Sequence, residues 1–132
     1  MSEAAADYHF ERMSHGSCYK VRVPEELSES GKTSMYITIN DHGEFKPFEF
    51  FQHFNAAEHY ELLTVIARLG SMALREGVQA EVIAKELQDI HSPVTNHMIP
   101  GTRDMAPSLS ARIGMALAKH LEQQKQGERH NG

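Results

Sequence analysis

Between Lys46 and Glu76 the chain reads KPFEFFQHFNAAEHYELLTVIARLGSMALRE, and the spacing of its apolar residues changes at Asn55. Before Asn55 the run is rich in Phe, which is typical of a β-strand. After Asn55 the apolar residues recur every three or four positions, as on one face of an α-helix. They are Leu62, Ile66, Leu69 and Ala73. This stretch therefore predicts that a sheet gives way to helices here.

Upstream of this junction, apolar and polar residues alternate. Cys18–Val23 places Tyr19, Val21 and Val23 on one predicted face, and Ser34–Asn40 does the same with Met35, Ile37 and Ile39. A shorter mixed run, Tyr8–Met13, and the Phe-rich run Lys46–His53 bring the prediction to about four antiparallel strands. Ser14-His15-Gly16 and Asp41-His42-Gly43 have the composition of tight turns.

Downstream of the junction, the pattern predicts about three helices. The first begins at Asn55 and ends near Gly77, a residue that suits a left-handed stop. Apolar faces define the other two, with Val82, Ile83, Leu87 and Ile90 on the second and Leu109, Ile113, Leu117 and Leu121 on the third. Val94–Ala106 between them is expected to be a loop, and Pro107-Ser108 opens the third helix. The predicted fold class is α+β, with the sheet in the N-terminal half packed against helices in the C-terminal half.

Composition excludes several classes of protein. The chain has 132 residues, a net charge of −5 and a single cysteine, Cys18. One thiol cannot form an intrachain disulfide or a zinc ribbon, which favours a reducing, cytoplasmic setting. The acidic balance and scattered basic residues disfavour nucleic-acid binding, and no run is apolar enough for a membrane helix. We therefore expect a single domain that binds neither nucleic acid nor membrane.

The side chains show no catalytic motif. Nine histidines are present, but none of them forms a metal-binding pair on one helix face, so we expect no metal site. Cys18 shares a predicted strand face with Lys20 and Arg22, cations that favour a reactive thiolate, although a half-buried strand cysteine is more often structural. No phosphate-binding loop or nucleophile motif occurs. The residues alone thus predict no catalytic residue.

The order of several segments resembles a known family. The segments are Ser17–Val21, Met35–Asp41, Pro47–Phe51, His59-Tyr60, Ala67–Ser71, Ala73–Gly77, Lys85–Leu87 followed by Ser92-Pro93, Pro107–Gly114 and His120-Leu121. Together they resemble the TSCPD domain associated with ribonucleotide reductases, especially the small stand-alone component of split adenosylcobalamin-dependent (class II) enzymes. The resemblance covers residues 8–121 and implies one domain there. We expect a flexible N-terminus at 1–7, and the polar composition of residues 122–132 predicts a disordered tail.

The resemblance implies an accessory or regulatory module with no activity alone. Such a module would bind the large catalytic chain of a vitamin B12-dependent ribonucleotide reductase, or a nucleotide, and adenosylcobalamin would belong to that partner. Many relatives have Cys-Pro where this chain has Ser92-Pro93, and the chain lacks the cysteine pair that ribonucleotide reduction needs. An alternative is therefore a stand-alone oligomeric binding protein, for instance a phage-borne regulator.

The candidate binding residues lie at one predicted end of the sheet and on the first helix. They are His53, His59, Tyr60, Arg68, Arg75, His91 and Arg103. Arg103 belongs to the stretch Thr95–Arg103 within the predicted loop. Arg68 and Arg75 are seven residues apart and share a helix face, which makes them a candidate anion contact, although surface arginines often have no such role. For a homodimer, the expected surface is the strand with Phe48, Phe50 and Phe51, together with the apolar stripe of the third helix.

Overall fold

The computed structural model describes residues 15–24, 34–43, 46–54, 57–92, 97–99 and 105–131. The predicted strand Tyr8–Met13, the N-terminal segment 1–7 and the cap residue Asn55 lie outside these residues.

The alternating half of the sequence forms a three-stranded antiparallel sheet. Its strands are β1 (His15–Arg22), β2 (Ser34–Asp41) and β3 (Pro47–His53), in the order β1-β2-β3. In the register, Tyr19 lies opposite Ile37, and Ile37 lies opposite Gln52. The predicted inner residues Val21, Met35, Ile37 and Ile39 are all buried. Apolar residues at every second position therefore give the sheet one buried face.

Three helices complete the fold, two of them packed on that face, which confirms the α+β class. They are α1 (Ala57–Arg75), α2 (Ala80–Gln88) and α3 (Leu109–Asn131). Helix α1 packs on β3, whereas α3 packs on β1 and β2 and also contacts α2. Two short strands, β4 (His97–Met98) and β5 (Met105–Ala106), pair inside the stretch predicted to be a loop.

Two contacts hold α1 on β3. Gly70 faces the Phe50 ring so closely that an added Cβ would lie 2.3 Å from the ring carbon Cζ. Beside it, the Phe50 N–H donates to Ser71 Oγ (3.0 Å), and the same hydroxyl donates to the Phe50 carbonyl (3.1 Å). The helix ends as predicted, because Gly77 has φ +100°.

The faces predicted for the helices are partly wrong. Leu62 and Leu69 of α1 are exposed, and Leu63, Ala67 and Leu74 are buried in their place. Val82 of α2 and Ile90, which lies just after its end, are also exposed, since Ala80, Ala84 and Leu87 face the core. Conversely, the stripe on α3 that we predicted to be free for a partner is buried. Its residues are Leu109, Ile113, Leu117 and Leu121.

The burial of α3 has a simple structural cause. Gly114 lies where α2 crosses α3, and a Cβ there would lie 2.6 Å from the carbonyl oxygen of Ala84 and 2.8 Å from Leu87 Cβ. Because glycine permits this close approach, α2 covers one flank of α3 while the sheet covers another. The stripe is thus core rather than a docking surface.

Two boundaries also differ from the prediction. Helix α3 continues to Asn131, through the stretch expected to be a disordered tail. His15, Gly16 and Asp41, expected in turns, belong to strands. In both places polar residues suggested a turn or a tail, because the sequence does not show which polar side chains find partners in the fold.

Candidate functional site

A buried polar cluster joins α3 to the sheet. Asp41 ends β2 and is 2% exposed, and His120 on α3 is 3% exposed. His120 Nε2 lies 3.0 Å from Asp41 Oδ2, and His120 Nδ1 lies 2.5 Å from the hydroxyl of Tyr19 on β1. Gln124, one turn further along α3, donates from Nε2 to Asp41 Oδ1 at 2.8 Å. We call these four residues the Tyr19–His120–Asp41–Gln124 cluster.

The Asp41 carboxylate determines which ring nitrogen of His120 carries a hydrogen. An ionised carboxylate only accepts hydrogen bonds, so the Nε2–H of His120 donates to Asp41. In the neutral imidazole, Nδ1 then accepts from the Tyr19 hydroxyl. Gln124 Nε2 also lies 3.1 Å from His120 Nε2, but both nitrogens carry hydrogens and the contact is not a hydrogen bond. Asp41 therefore sets the tautomer of His120, and His120 orients Tyr19.

The environment keeps the Tyr19 phenol protonated. Burial raises the pKa of Tyr19 above its usual value, and the negative charge of Asp41 raises it further. A hydrogen bond from the Ser17 side chain acts in the opposite direction and lowers this pKa. The net effect is upward, so at neutral pH the phenol is a hydrogen-bond donor held in one orientation.

Beside this phenol lies a cleft between β1 and α3. Its volume is about 330 Å³, near the lower limit of small-molecule sites. Among the lining residues that the structure describes, three are basic and none is acidic. The lining residues are Tyr19, Lys20, Val21, Ile99, Arg112, Met115, Ala116 and Lys119. A cleft with cations, a fixed hydroxyl and an apolar wall suits an anionic ligand with an apolar part.

The predicted site residues His53, His59 and Tyr60 lie close together in the chain, at the end of β3 and the start of α1. His53 ends β3 and is exposed on the outer side of the sheet, opposite Tyr36 of β2. The His59 ring stacks on Phe54, with centroids 6.4 Å apart, and is half-buried. Tyr60 is exposed on α1. None of the three side chains lines the cleft between β1 and α3, and their role in binding stays a prediction.

The other predicted residues are more widely placed. Arg68 and Arg75 are exposed on α1. Arg75 forms an ion pair with Glu49 at 3.8 Å, so its guanidinium already has an anionic partner within the chain. His91 follows α2 and is exposed beside the start of α3. Arg103 lies outside the described residues. A role for these residues in binding stays a prediction.

Sequence reasoning missed the Tyr19–His120–Asp41–Gln124 cluster. Asp41 looked like a turn residue, and Tyr19 looked like an ordinary inward strand residue. His120 did carry a signal, because it lies three residues after Leu117 and seven after Ile113, within the apolar stripe of α3. A polar side chain on a buried stripe requires a partner, and the partner here is Asp41.

Two further properties of the described part of the chain bear on function. Across residues 15–24, 34–43, 46–54, 57–92, 97–99 and 105–131, no group of three His, Cys, Asp or Glu side chains is placed to hold a metal ion. Within the same residues, no helix is long and apolar enough to cross a membrane.

Comparison with known proteins identifies the family. Residues 7–121 match the family model of the TSCPD domain. A search of curated proteins found no match, nor did a search of solved structures. The family match covers most of the 132 residues, including all three strands of the sheet and both partners of the buried His120–Asp41 pair. The chain therefore belongs to the TSCPD domain family.

Proposed function

We propose that this chain is a non-catalytic accessory or regulatory module of a vitamin B12-dependent ribonucleotide reductase. In this role it acts in the cytoplasm by binding a nucleotide or the catalytic chain, and the catalytic chain binds adenosylcobalamin. Membership of the TSCPD family supports the proposal. So does the cysteine content, because ribonucleotide reduction draws two electrons from a dithiol and this chain has only Cys18.

The surroundings of Cys18 are consistent with an auxiliary role. The thiol is exposed on the outer side of the sheet, opposite Thr38, and the helices cover the other side. It is therefore separated by the sheet from the Tyr19–His120–Asp41–Gln124 cluster. A lone thiol on this surface cannot cycle as a dithiol within one chain, so any reduction would take place on the partner.

The observation that carries the regulatory part of the proposal is the basic cleft. Lys20, Arg112 and Lys119 would attract the phosphates of a nucleotide, and Ile99 and Met115 would contact its apolar surface. The Tyr19 hydroxyl would accept a hydrogen bond from a hydroxyl or amino group of the ligand while it still donates to His120. Because the phenol stays protonated, it adds no negative charge that would repel a phosphate.

Calorimetric titration with ATP tests this proposal. We expect binding to the wild type and at least tenfold weaker binding to Lys119→Glu, whereas Lys85→Glu should leave affinity unchanged, because Lys85 is exposed on α2 and does not line the cleft. An assay of the catalytic chain with and without this protein tests the association itself. If ATP does not bind and the reductase rate is unaffected, the proposal is wrong.

A second candidate is a stand-alone oligomeric binding protein. It is favoured by one observation, the exposed apolar side chains on the solvent face of α1. Under this alternative the protein would self-associate without any reductase. This alternative predicts that the purified protein is an oligomer and that adding it to the catalytic chain leaves the reductase rate unchanged.

A further inference from the structure

Helix α1 carries apolar side chains on two opposite faces. One face packs on the sheet through Leu63, Ala67 and Leu74. The other points to solvent and bears a row of large apolar side chains. These are Leu62 (58% exposed), Val65 (46%), Leu69 (60%) and Met72 (54%). A single exposed leucine is ordinary, but a continuous row of this kind marks a surface that binds another protein.

The spacing of this row is that of a helix pair. Its members are separated by three, four and three residues, the alternation found along the seam of paired helices. They extend over roughly 15 Å of helix, since each residue adds about 1.5 Å. The solvent face of α1 therefore suits another helix lying along it.

The charges beside the seam indicate which helix. Glu61, Arg68 and Arg75 follow one flank of the row at seven-residue intervals, and all three are exposed. The opposite flank carries Ile66 and Ala73, which are uncharged. In a parallel pair the two different flanks meet, so the charged side chains find no charged partner.

In an antiparallel pair each flank meets its own copy in reverse order. With Leu62 opposite Met72 and Val65 opposite Leu69, Glu61 of each copy lies opposite Arg75 of the other. This gives two opposite-charge pairs related by a two-fold axis. Arg68 then lies near Arg68 of the second copy, which is a repulsive contact at the centre. Two favourable pairs against one unfavourable contact select the antiparallel arrangement.

We propose that two copies of this chain form an antiparallel homodimer through the solvent face of α1. A second copy is favoured over an unrelated partner because the apolar row and its charged flank are complementary to themselves. The inference does not depend on the reductase association, because only this chain takes part. It also leaves the cleft between β1 and α3 free, since α1 does not line that cleft.

Sedimentation equilibrium of the purified full chain tests the dimer. We expect twice the chain mass of 14.9 kDa for the wild type and a single chain for Leu69→Glu, at micromolar concentration. Leu69→Glu should keep its circular dichroism spectrum, because Leu69 is exposed in the protomer. The control Val82→Glu introduces the same charge at an exposed position on α2 and should remain dimeric. A monomeric wild type, or a dimeric Leu69→Glu variant, would overturn the proposal.

Charge reversal tests the partner and the direction together. Arg75 also pairs with Glu49 within the chain, so the series is made in a Glu49→Gln background. Glu61→Lys and Arg75→Glu should each weaken the dimer roughly three- to tenfold. The double variant should recover the affinity, because both pairs are then reversed. Failure of the double variant to recover would contradict the antiparallel pairing.

Disulfide cross-linking in a Cys18→Ser background gives an independent test of direction. The variant with both Leu62→Cys and Met72→Cys should form a covalent dimer on oxidation, because these positions face each other across an antiparallel seam. Neither single variant should do so. Cross-linking by either single variant would indicate a parallel pair and refute the proposed direction.

Discussion

Helices α1 and α3 differ in how their apolar residues relate to the core. Helix α3 has one narrow stripe, and α2 and the sheet bury it. Helix α1 has two apolar faces, of which the sheet buries only one. A spacing pattern identifies an apolar face, but only the neighbouring elements decide whether that face is core or surface. The predictions below compare contacts of α3 with matched contacts of α1, all in the Leu69→Glu background so that self-association does not contribute.

The largest difference is expected between one buried and one solvent-accessible side-chain pair, His120–Asp41 at α3 and Arg75–Glu49 at α1. Asp41→Ala should lower the free energy of unfolding by about 3 to 5 kcal/mol, because it leaves the donors of buried His120 and half-buried Gln124 without their acceptor. Arg75→Ala removes the long ion pair between exposed Arg75 of α1 and half-buried Glu49 of β3, and should cost no more than about 0.5 kcal/mol. Urea unfolding measures both. Equal losses would mean that the buried pair does not anchor α3.

A second comparison uses leucines. Leu117→Ala in α3 should cost roughly 2 to 5 kcal/mol, since Leu117 is fully buried and its removal leaves a cavity. Leu62→Ala in α1 should change stability by less than about 0.5 kcal/mol, because Leu62 is exposed in the protomer. The same urea titrations report both values. A large loss for Leu62→Ala would show that the solvent face of α1 is covered within one chain.

A smaller effect is expected for the hydroxyl that ties α1 to β3. Ser71→Ala removes the two hydrogen bonds to the Phe50 backbone and should cost about 1 to 3 kcal/mol. The control is Thr64→Ala, whose hydroxyl bonds the Tyr60 carbonyl on the exposed side of the same helix. We expect little change there. If thermal unfolding shows the two variants to be alike, Ser71 does not hold the helix on the strand.

The smallest effect concerns pH. The folded state raises the pKa of Tyr19, so its contribution to stability is complete below the unfolded value near 10 and is lost as the pH rises through the folded value. Melting temperature should therefore fall more steeply above pH 10 in the parent than in Tyr19→Phe. Tyr60→Phe, which alters an exposed tyrosine, should follow the parent. Parallel curves for parent and Tyr19→Phe would contradict the raised pKa.

Much of the fold could be predicted from the sequence, for physical reasons visible in single residues. Alternation at Met35, Ile37 and Ile39 can bury only one face of a strand, and Gly77 readily adopts the positive φ that ends α1. These signals are local. Which side of α1 faces the core was not predictable in the same way. Leu62 and Leu63 are equally apolar, and only the position of β3 determines that Leu63 is buried and Leu62 is exposed.

The candidate site depends on contacts between distant segments. Asp41 and His120 are 79 residues apart, and the sequence around either residue does not predict that the other is its partner. The basic cleft likewise combines Lys20 of β1 with Arg112 and Lys119 of α3. Arg112 and Lys119 are seven residues apart on one helix, so the sequence could predict that they share a face. The sequence could not predict that Lys20 of β1 lies beside them.

The bonds between Ser71 and Phe50 also protect the protein against aggregation. The edge of a sheet exposes N–H and C=O groups that can pair with a strand of another molecule. At Phe50 of β3, both groups are already bonded to one hydroxyl of α1, so they cannot template such pairing. Removal of this hydroxyl would therefore free a backbone position for fibre-like association in partly unfolded chains, a hazard distinct from the loss of stability in the folded state.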